Sequence, residues 1–457
     1  MNIAVLGGGV TGLTAAWRLS RAGHSVKVLE AGKRLGGSVR TDQVDGWTVE
    51  AGPNSFQESS PEIGALIGEL GLGAERVVSL PAAKNRFIAA RGRLIALPAG
   101  PGQFISTPLF SLGTKWRILR EIARKPVARP EEASVSDFLG DHLGAELVER
   151  VVQPFVSGIF AGDPGRLSAR HAFPKLWAAE AKTGSLVRTA IAGVKARRAL
   201  GQPAAPQIVS FRRGLQALPD ALVGQLPQGS VAIGAEVRSI GPGAGARWRV
   251  GWSEPGGERA ADFDFVICAL PAWALAGLEI GAGGDRPLSG LAEIEYPPVA
   301  SVFLGYRRDQ VRHPLDGFGA LVAATEMRSV LGVLFSSSLF DGRAPAGHVA
   351  LTAFAGGALQ PEIARLPADE LVTRVTGDVE ALLGASGKPV FVRHALWPRA
   401  IPQYNVGYGR HLEAMERCER ANPGLLIGGS VRDGISLPDC LLFGVSLANR
   451  AMANRPP

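Results

Sequence analysis

Three closely spaced glycines and an acid not far beyond them have the types and spacing to do chemistry. Gly7, Gly9 and Gly12 form G-x-G-x-x-G inside AVLGGGVTGL, and Glu30 closes the apolar run at residues 26–30. In such a pattern the first glycine permits a tight turn and the second lets a pyrophosphate approach the backbone. The third allows close helix–strand packing. An acid at the end of the second strand accepts hydrogen bonds from ribose hydroxyls and repels a 2′-phosphate, which argues against NADP. Arg34, the Gly36-Gly37 pair and Arg40 follow in EAGKRLGGSVRT. A second glycine pair beside basic residues suits a cofactor that extends past this loop, so the expected cofactor is FAD rather than NAD. No paired carboxylates, Ser-His-Asp set or metal-ligand spacing is evident, so no catalytic side chain and no metal are expected.

The elements that must position these residues are legible around them. Residues 3–6 read as a strand, residues 13–22 as a helix, Gly23 as its stop and residues 26–30 as the next strand, a βαβ unit. The helix N-terminus offers free N–H groups and a positive dipole end to phosphates. Near the other end, residues 425–427 read as a strand and Gly428-Gly429 as a close backbone approach. Gly434-Ile435 reads as the entry to a helix, with Leu437, Leu441, Leu442 and Val445 at helical spacing and Pro438 in its first turn. VAIGAEVRSI (231–240) and FDFVICALPAWAL (263–275) read as two strands of the same sheet, with Glu236-Val237 placed to touch the adenine end. The nucleotide unit is therefore expected to be discontinuous.

Bulk properties bound the class. The chain has 457 residues, 46% hydrophobic and 20% charged, with 59 Gly and 32 Pro. That length allows two or three domains. Three cysteines fit no disulfide framework. No secretory signal and no apolar run of about 18 residues is evident. A cytoplasmic protein is expected, with the inner face of the cytoplasmic membrane as a second setting. The net charge of +8 suits anionic partners, but no nucleic-acid motif is present and no nucleic-acid partner is expected. In FISTPLFSLGTKWRILREIARKPVARP (104–130), Phe104, Ile105, Leu109, Phe110 and Trp116 interleave with Lys115, Arg117, Arg120, Arg124 and Lys125. Two readings stand: peripheral attachment to an anionic bilayer, and a core-facing amphipathic helix with a solvated basic face.

Further blocks carry a resemblance. EAGPNSF (50–56), RFIAARGRLIALP (86–98), FVSGIFAGDPGRLSARHAFPKLW (155–177), SFRRGLQALPDAL (210–222), YPPVASVFLGY, GFGALV, LGVLFSSSLFDGRAP and WPRAIPQYNVGYGRHL occur in that order. The whole chain resembles the FAD-dependent protoporphyrinogen oxidases and their relatives, the coproporphyrinogen III oxidases. The resemblance implies an α/β plus α fold. A Rossmann-like FAD-binding domain would take 1–80, 205–285 and 415–457, and a mixed-sheet substrate domain 81–98 and 286–414. A helical, membrane-contacting domain would take 99–204.

It also implies roles. Gly7, Gly9, Gly12, Glu30, Arg34, Gly37, Ser38, Gly52, Pro53, Asn54, Val237, Gly429, Gly434 and Ile435 would line FAD. Arg86 would pair a substrate propionate, Leu321, Leu334 and Phe354 would sandwich pyrrole rings, and Gly158 would offer a backbone contact. The implied reaction removes six electrons from a porphyrinogen, with dioxygen as final acceptor and hydrogen peroxide released. Protoporphyrinogen IX is the first substrate and coproporphyrinogen III the alternative; a flavin amine oxidase and a non-catalytic carrier are the rivals. One departure stands out. Ser430, Arg432 and Asp433 occupy GGSVRDG, where most members carry Asn after the glycine pair and more apolar residues. Against the amine oxidase reading, the four tyrosines, Tyr296, Tyr306, Tyr404 and Tyr408, lie outside residues 428–440, the helix-entry segment where those enzymes place an aromatic ring beside the amine.

Overall fold

A computed structural model describes residues 1–127, 129–199, 201, 206–245, 247–432 and 434–454. Its nucleotide-type sheet has five parallel strands, in the order Val231–Ile233, Ser25–Glu30, Asn2–Leu6, Phe265–Cys268 and Leu425–Ile427. The inner strands are apolar on both faces because helices cover one side and a second sheet, through Ile240, Trp248, Val250 and Phe263, covers the other, which is why they read as continuous runs rather than alternations. On one face Leu13, Trp17 and Leu19 of the helix Val10–Arg21 pack against Ile3, Val5 and Val28. The C-terminal helix Leu437–Ala453 crosses that helix closely. A Cβ on Gly444 would lie 2.6 Å from the Thr11 carbonyl oxygen. This helix starts at Leu437, with Ser436 capping the Asp439 N–H, rather than at Gly434.

The stretch 231–240 does not form one strand. Val231–Ile233 joins the parallel sheet, whereas Glu236–Pro242 joins a separate four-stranded sheet beside Trp248–Glu254. Gly234, at φ +70°, makes the turn between them.

A seven-stranded mixed sheet takes Phe391–Trp397, Val299–Arg307, His348–Gly356, Val330–Leu334, Gly317–Val322, Asn85–Ala90 and Arg93–Ala96 in that order. Only Gly317–Val322 with Asn85–Ala90 is parallel. One face is sealed by the helix Ala368–Leu383, whose Leu371, Val375, Val379 and Leu383 meet Val302, Leu304, Leu351 and Val333. That row follows the 3.6-residue period.

The described residues between 101 and 199 carry a series of helices, from Pro101–Ser106 to Leu186–Ala199, joined by loops. A buried charge knot ties them together. His142 lies 2.8 Å from Glu121 and 3.1 Å from Glu180, and Arg129 pairs with Glu180 at 3.0 Å. In the helix Leu112–Glu121 the expected pattern splits. Leu109 and Phe110, just before it, are buried, whereas Leu112, Trp116 and Leu119 are 83%, 64% and 53% exposed. These three share one helical face at i, i+4 and i+7, and that face points to solvent instead of the core.

Candidate active site

Two glycine turns abut at the C-terminal edge of the parallel sheet. Gly7 has φ +103°, and a Cβ there would lie 2.5 Å from the Ala269 carbonyl oxygen. A Cβ on Gly12 would lie 2.0 Å from the Gly7 carbonyl oxygen, so no larger residue fits. Gly9 instead faces open space. Gly36 bridges to Gly9 and donates its N–H to the Gly8 carbonyl at 2.8 Å, while Gly37 approaches Gly9 closely. The first helical bond runs from Leu13 N–H to the Gly9 carbonyl, which leaves the preceding N–H groups outside the helical ladder.

Glu30 does more here than its predicted ribose role. Its carboxylate accepts from the Gly8 and Gly32 N–H groups, each at 2.6 Å, and so braces both turns. An ionised carboxylate has about four acceptor sites, which leaves room for ribose hydroxyls. Arg34 is not aimed outward as a free cation. It donates to the carbonyls of Leu35, Gly37 and Val39 at 3.0, 2.6 and 2.9 Å, stapling the second turn. Burial, then Arg40, lowers its pKa.

Other predicted cofactor residues converge here. A Cβ on Gly52 would lie 1.9 Å from the Ser38 carbonyl oxygen. Asn54 donates to the Gly52 carbonyl at 3.1 Å across Pro53. Gly429, at φ +104°, borders Ala269, as Gly7 does. Ala235 N–H bonds the Glu30 carbonyl, which brings Val237 to the sheet edge beside that acid. Ile435 is half-buried against apolar neighbours, and the Gly434 N–H is directed to the Tyr404 hydroxyl. Of the departing residues, Arg432 turns to Glu419 at 2.7 Å and to the Ile427 carbonyl; Asp433 lies outside the described residues. The Cβ-free, phosphate-sized turns at a helix start, with an acid for ribose, fit a dinucleotide cofactor such as FAD.

The predicted substrate residues share one face of the seven-stranded sheet. Directly paired residues point the same way. Arg86 opposes Gly319, Leu321 opposes Gly332, Leu334 opposes Gly319, and Phe354 opposes Gly332. At one flank Ile88 and Ala90 are covered by Leu109 and Phe110. At the other flank Trp47 lies over Gly305, where a Cβ would come within 2.4 Å of its ring. Between them Leu321, Leu334 and Phe354 remain half-buried. Gly158 abuts this strip, since a Cβ there would lie 2.4 Å from Leu321 Cδ2. The exposed Arg86 guanidinium rests over the Phe318 ring at 5.4 Å. Trp397, on the same face, donates to the Ala51 carbonyl at 2.7 Å and joins the strip to the Gly52 turn.

Two groups were missed. Glu50 and Arg343 form a buried pair 3.8 Å apart. Burial raises the Glu50 pKa to about 7 despite the opposing pull of Arg343. Tyr404 and Tyr408, outside residues 428–440 in sequence, meet that segment in the fold. Their hydroxyls donate to the carbonyls of Ser430 and Val431. No local spacing signals either group, because partners more than 20 residues apart meet only in the fold. Among the described residues no His, Cys, Asp and Glu cluster could hold a metal ion.

A parallel sheet carrying such a cradle defines a dinucleotide-binding protein. The chain belongs to the flavin containing amine oxidoreductase family, whose sequence model matches residues 10–452, and its cofactor is FAD. It is 33% identical to protoporphyrinogen oxidase 2, chloroplastic/mitochondrial, of Arabidopsis thaliana, over 98% of this chain and 93% of the relative. It is 27% identical to the coproporphyrinogen III oxidase of Bacillus subtilis (strain 168), over 99% and 98%. A crystal structure from Exiguobacterium sp. 255-15 superposes with a TM-score of 0.83 at 26% identity, covering 99% of each chain.

Proposed function

We propose that this protein oxidises a porphyrinogen to a porphyrin, with protoporphyrinogen IX as substrate and coproporphyrinogen III as the alternative. The observation that carries this reading is the half-buried strip of Leu321, Leu334 and Phe354 with one guanidinium, Arg86, at its edge. A flat apolar macrocycle with carboxylate arms has that complementarity. The names of the relatives in Arabidopsis and Bacillus support it.

The turns at Gly7–Gly12 and Gly36–Gly37, braced by Glu30, would hold FAD, which would supply two-electron hydride acceptance three times per porphyrin, with three dioxygen molecules as final acceptors and three hydrogen peroxides as the by-product. The chain's own task is placement. Arg86 holds a carboxylate by a bidentate, charge-assisted pair. Leu321, Leu334 and Phe354 exclude water from the ring faces, and Gly158 lets backbone approach where a side chain would collide. Pyrrole protons leave to solvent. Positioning of this kind is worth orders of magnitude in rate without a side-chain base.

In the division of labour we propose, residues 1–80, 205–285 and 415–457 hold the cofactor, and 81–98 and 286–414 the substrate. Residues 99–204 meet an anionic membrane from the cytoplasmic side. Exposed Ile105, Leu112, Trp116 and Leu119 support that contact, as does an adjacent groove of about 750 Å³ lined by Arg117, Arg120 and Arg124. No helix among the described residues is long and apolar enough to cross a membrane.

The test is direct. FAD-loaded protein is incubated with each porphyrinogen under air while porphyrin fluorescence and peroxide are followed. Porphyrin formation well above autoxidation, with stoichiometric peroxide, is expected. A rate equal to autoxidation, or turnover of amines alone, overturns the proposal.

A further inference from the structure

We infer that Tyr404 is a positioning residue that ties Ser430 to Gly434 ahead of the C-terminal helix and thereby sets the redox balance of the flavin. This rests on the cofactor assignment and goes beyond it, since sequence reasoning placed the tyrosines elsewhere.

The Tyr404 oxygen closes the loop from both ends. Its hydroxyl donates to the Ser430 carbonyl and accepts the Gly434 N–H at 3.1 Å. A hydroxyl offers one donor and two acceptor sites, so a single atom clasps residues four apart. Tyr408, its ring tilted by 41° against that of Tyr404 at 4.5 Å, adds a bond to the Val431 carbonyl at 2.7 Å. Both rings are almost fully buried. Burial raises the Tyr404 pKa well above its ordinary value, so the donor proton stays in place.

The clasp is itself anchored to the substrate side. The Tyr404 carbonyl accepts the Ser168 N–H at 2.8 Å. Neighbouring Gln403 donates its amide N–H to the Glu295 carbonyl and its side chain to the Phe160 carbonyl, each within 2.9 Å. Phe160 ends the helix that carries Gly158. The 403–408 strap therefore fixes the C-terminal loop and the wall of the substrate strip in one frame. It matters for the flavin because Gly429, which precedes the clasped Ser430, borders Ala269, the residue that also abuts Gly7 of the cradle. A helix start held rigidly at a site of developing negative charge stabilises that charge without reorganisation. The reduced cofactor carries that charge, and the oxidised one does not.

The experiment compares wild type with Tyr404→Phe, both full-length and FAD-loaded, by dye-coupled reductive titration without substrate. A tenfold loss of preference for reduced over oxidised flavin is expected, a shift of about 30 mV to more negative potential for a two-electron couple. The visible flavin spectrum should also change, and kcat should fall with KM little altered. An unchanged potential and spectrum in the variant overturns the inference. A wild-type chain that takes up no flavin overturns the cofactor assignment and this inference with it. If the variant does not fold, 3-fluorotyrosine labelling of the wild type gives four resonances to follow. Tyr404 and Tyr408 signals, assigned with Tyr296→Phe and Tyr306→Phe, should move on flavin reduction. Signals that stay fixed overturn the inference.

Discussion

Arg86 stands at the strip's edge with its guanidinium exposed, and among the described residues it has no carboxylate partner. Loss of a charge-assisted bidentate pair costs roughly 1.5–3 kcal/mol. Arg86→Ala should therefore raise KM for a porphyrinogen by about 10- to 100-fold while kcat changes little, as steady-state kinetics would show. Arg86→Lys should recover only part, because an ammonium lacks the planar fork. Glu50 gives a second test. Burial holds its folded-state pKa near 7, above the value of an exposed glutamate. Between about pH 4.5 and 7 the folded chain keeps a proton that the unfolded chain has lost, so this group's contribution to stability falls as pH rises through that window. Urea unfolding of wild type and Glu50→Gln should diverge accordingly, with wild type losing up to about 3 kcal/mol relative to the variant between those limits. Parallel curves would refute a buried, proton-holding Glu50.

At the scale of elements, the contact between the helix Gln153–Phe160 and the strand Gly317–Val322 sets the width of the strip. Gly158→Ala would push Leu321 aside, since its new Cβ meets Leu321 Cδ2 at 2.4 Å. We expect a raised KM and about 1–3 kcal/mol of destabilisation. In a Leu321→Ala background the same change should cost much less, and a double-mutant cycle should give coupling above about 0.5 kcal/mol. Additive effects would mean that the two residues do not share the space. Much of this level was legible beforehand. The strands Asn2–Leu6 and Leu425–Ile427 and the first helix announce themselves by continuous apolar runs and by glycines whose conformations no other residue adopts. The strip residues were legible only through resemblance, because a half-buried leucine on a sheet looks like any core leucine. The Glu236–Pro242 strand was misassigned because a short apolar run does not say which sheet will take it. The Tyr404 clasp was invisible, being made of backbone groups that sequence does not distinguish.

For the whole molecule, the outward apolar row on Leu112–Glu121 makes a prediction about surfaces. Trp116→Glu with Leu112→Glu should lower co-sedimentation with vesicles containing anionic phospholipid by several-fold, and added salt should weaken wild-type binding. Oxidation of a water-dispersed substrate should be unaffected. Equal binding of both proteins would reassign that face. The parallel sheet has a different consequence. Its edge strand Leu425–Ile427 and the helix behind it are the last elements among the described residues, yet they finish a layer begun by Asn2–Leu6. During synthesis the first half of the cradle must therefore wait, unpaired at one edge, until residues 425–427 emerge. Stalled nascent chains ending before residue 425 should stay colourless, whereas chains in which Leu425–Ile427 and the helix after it have emerged should take up the cofactor.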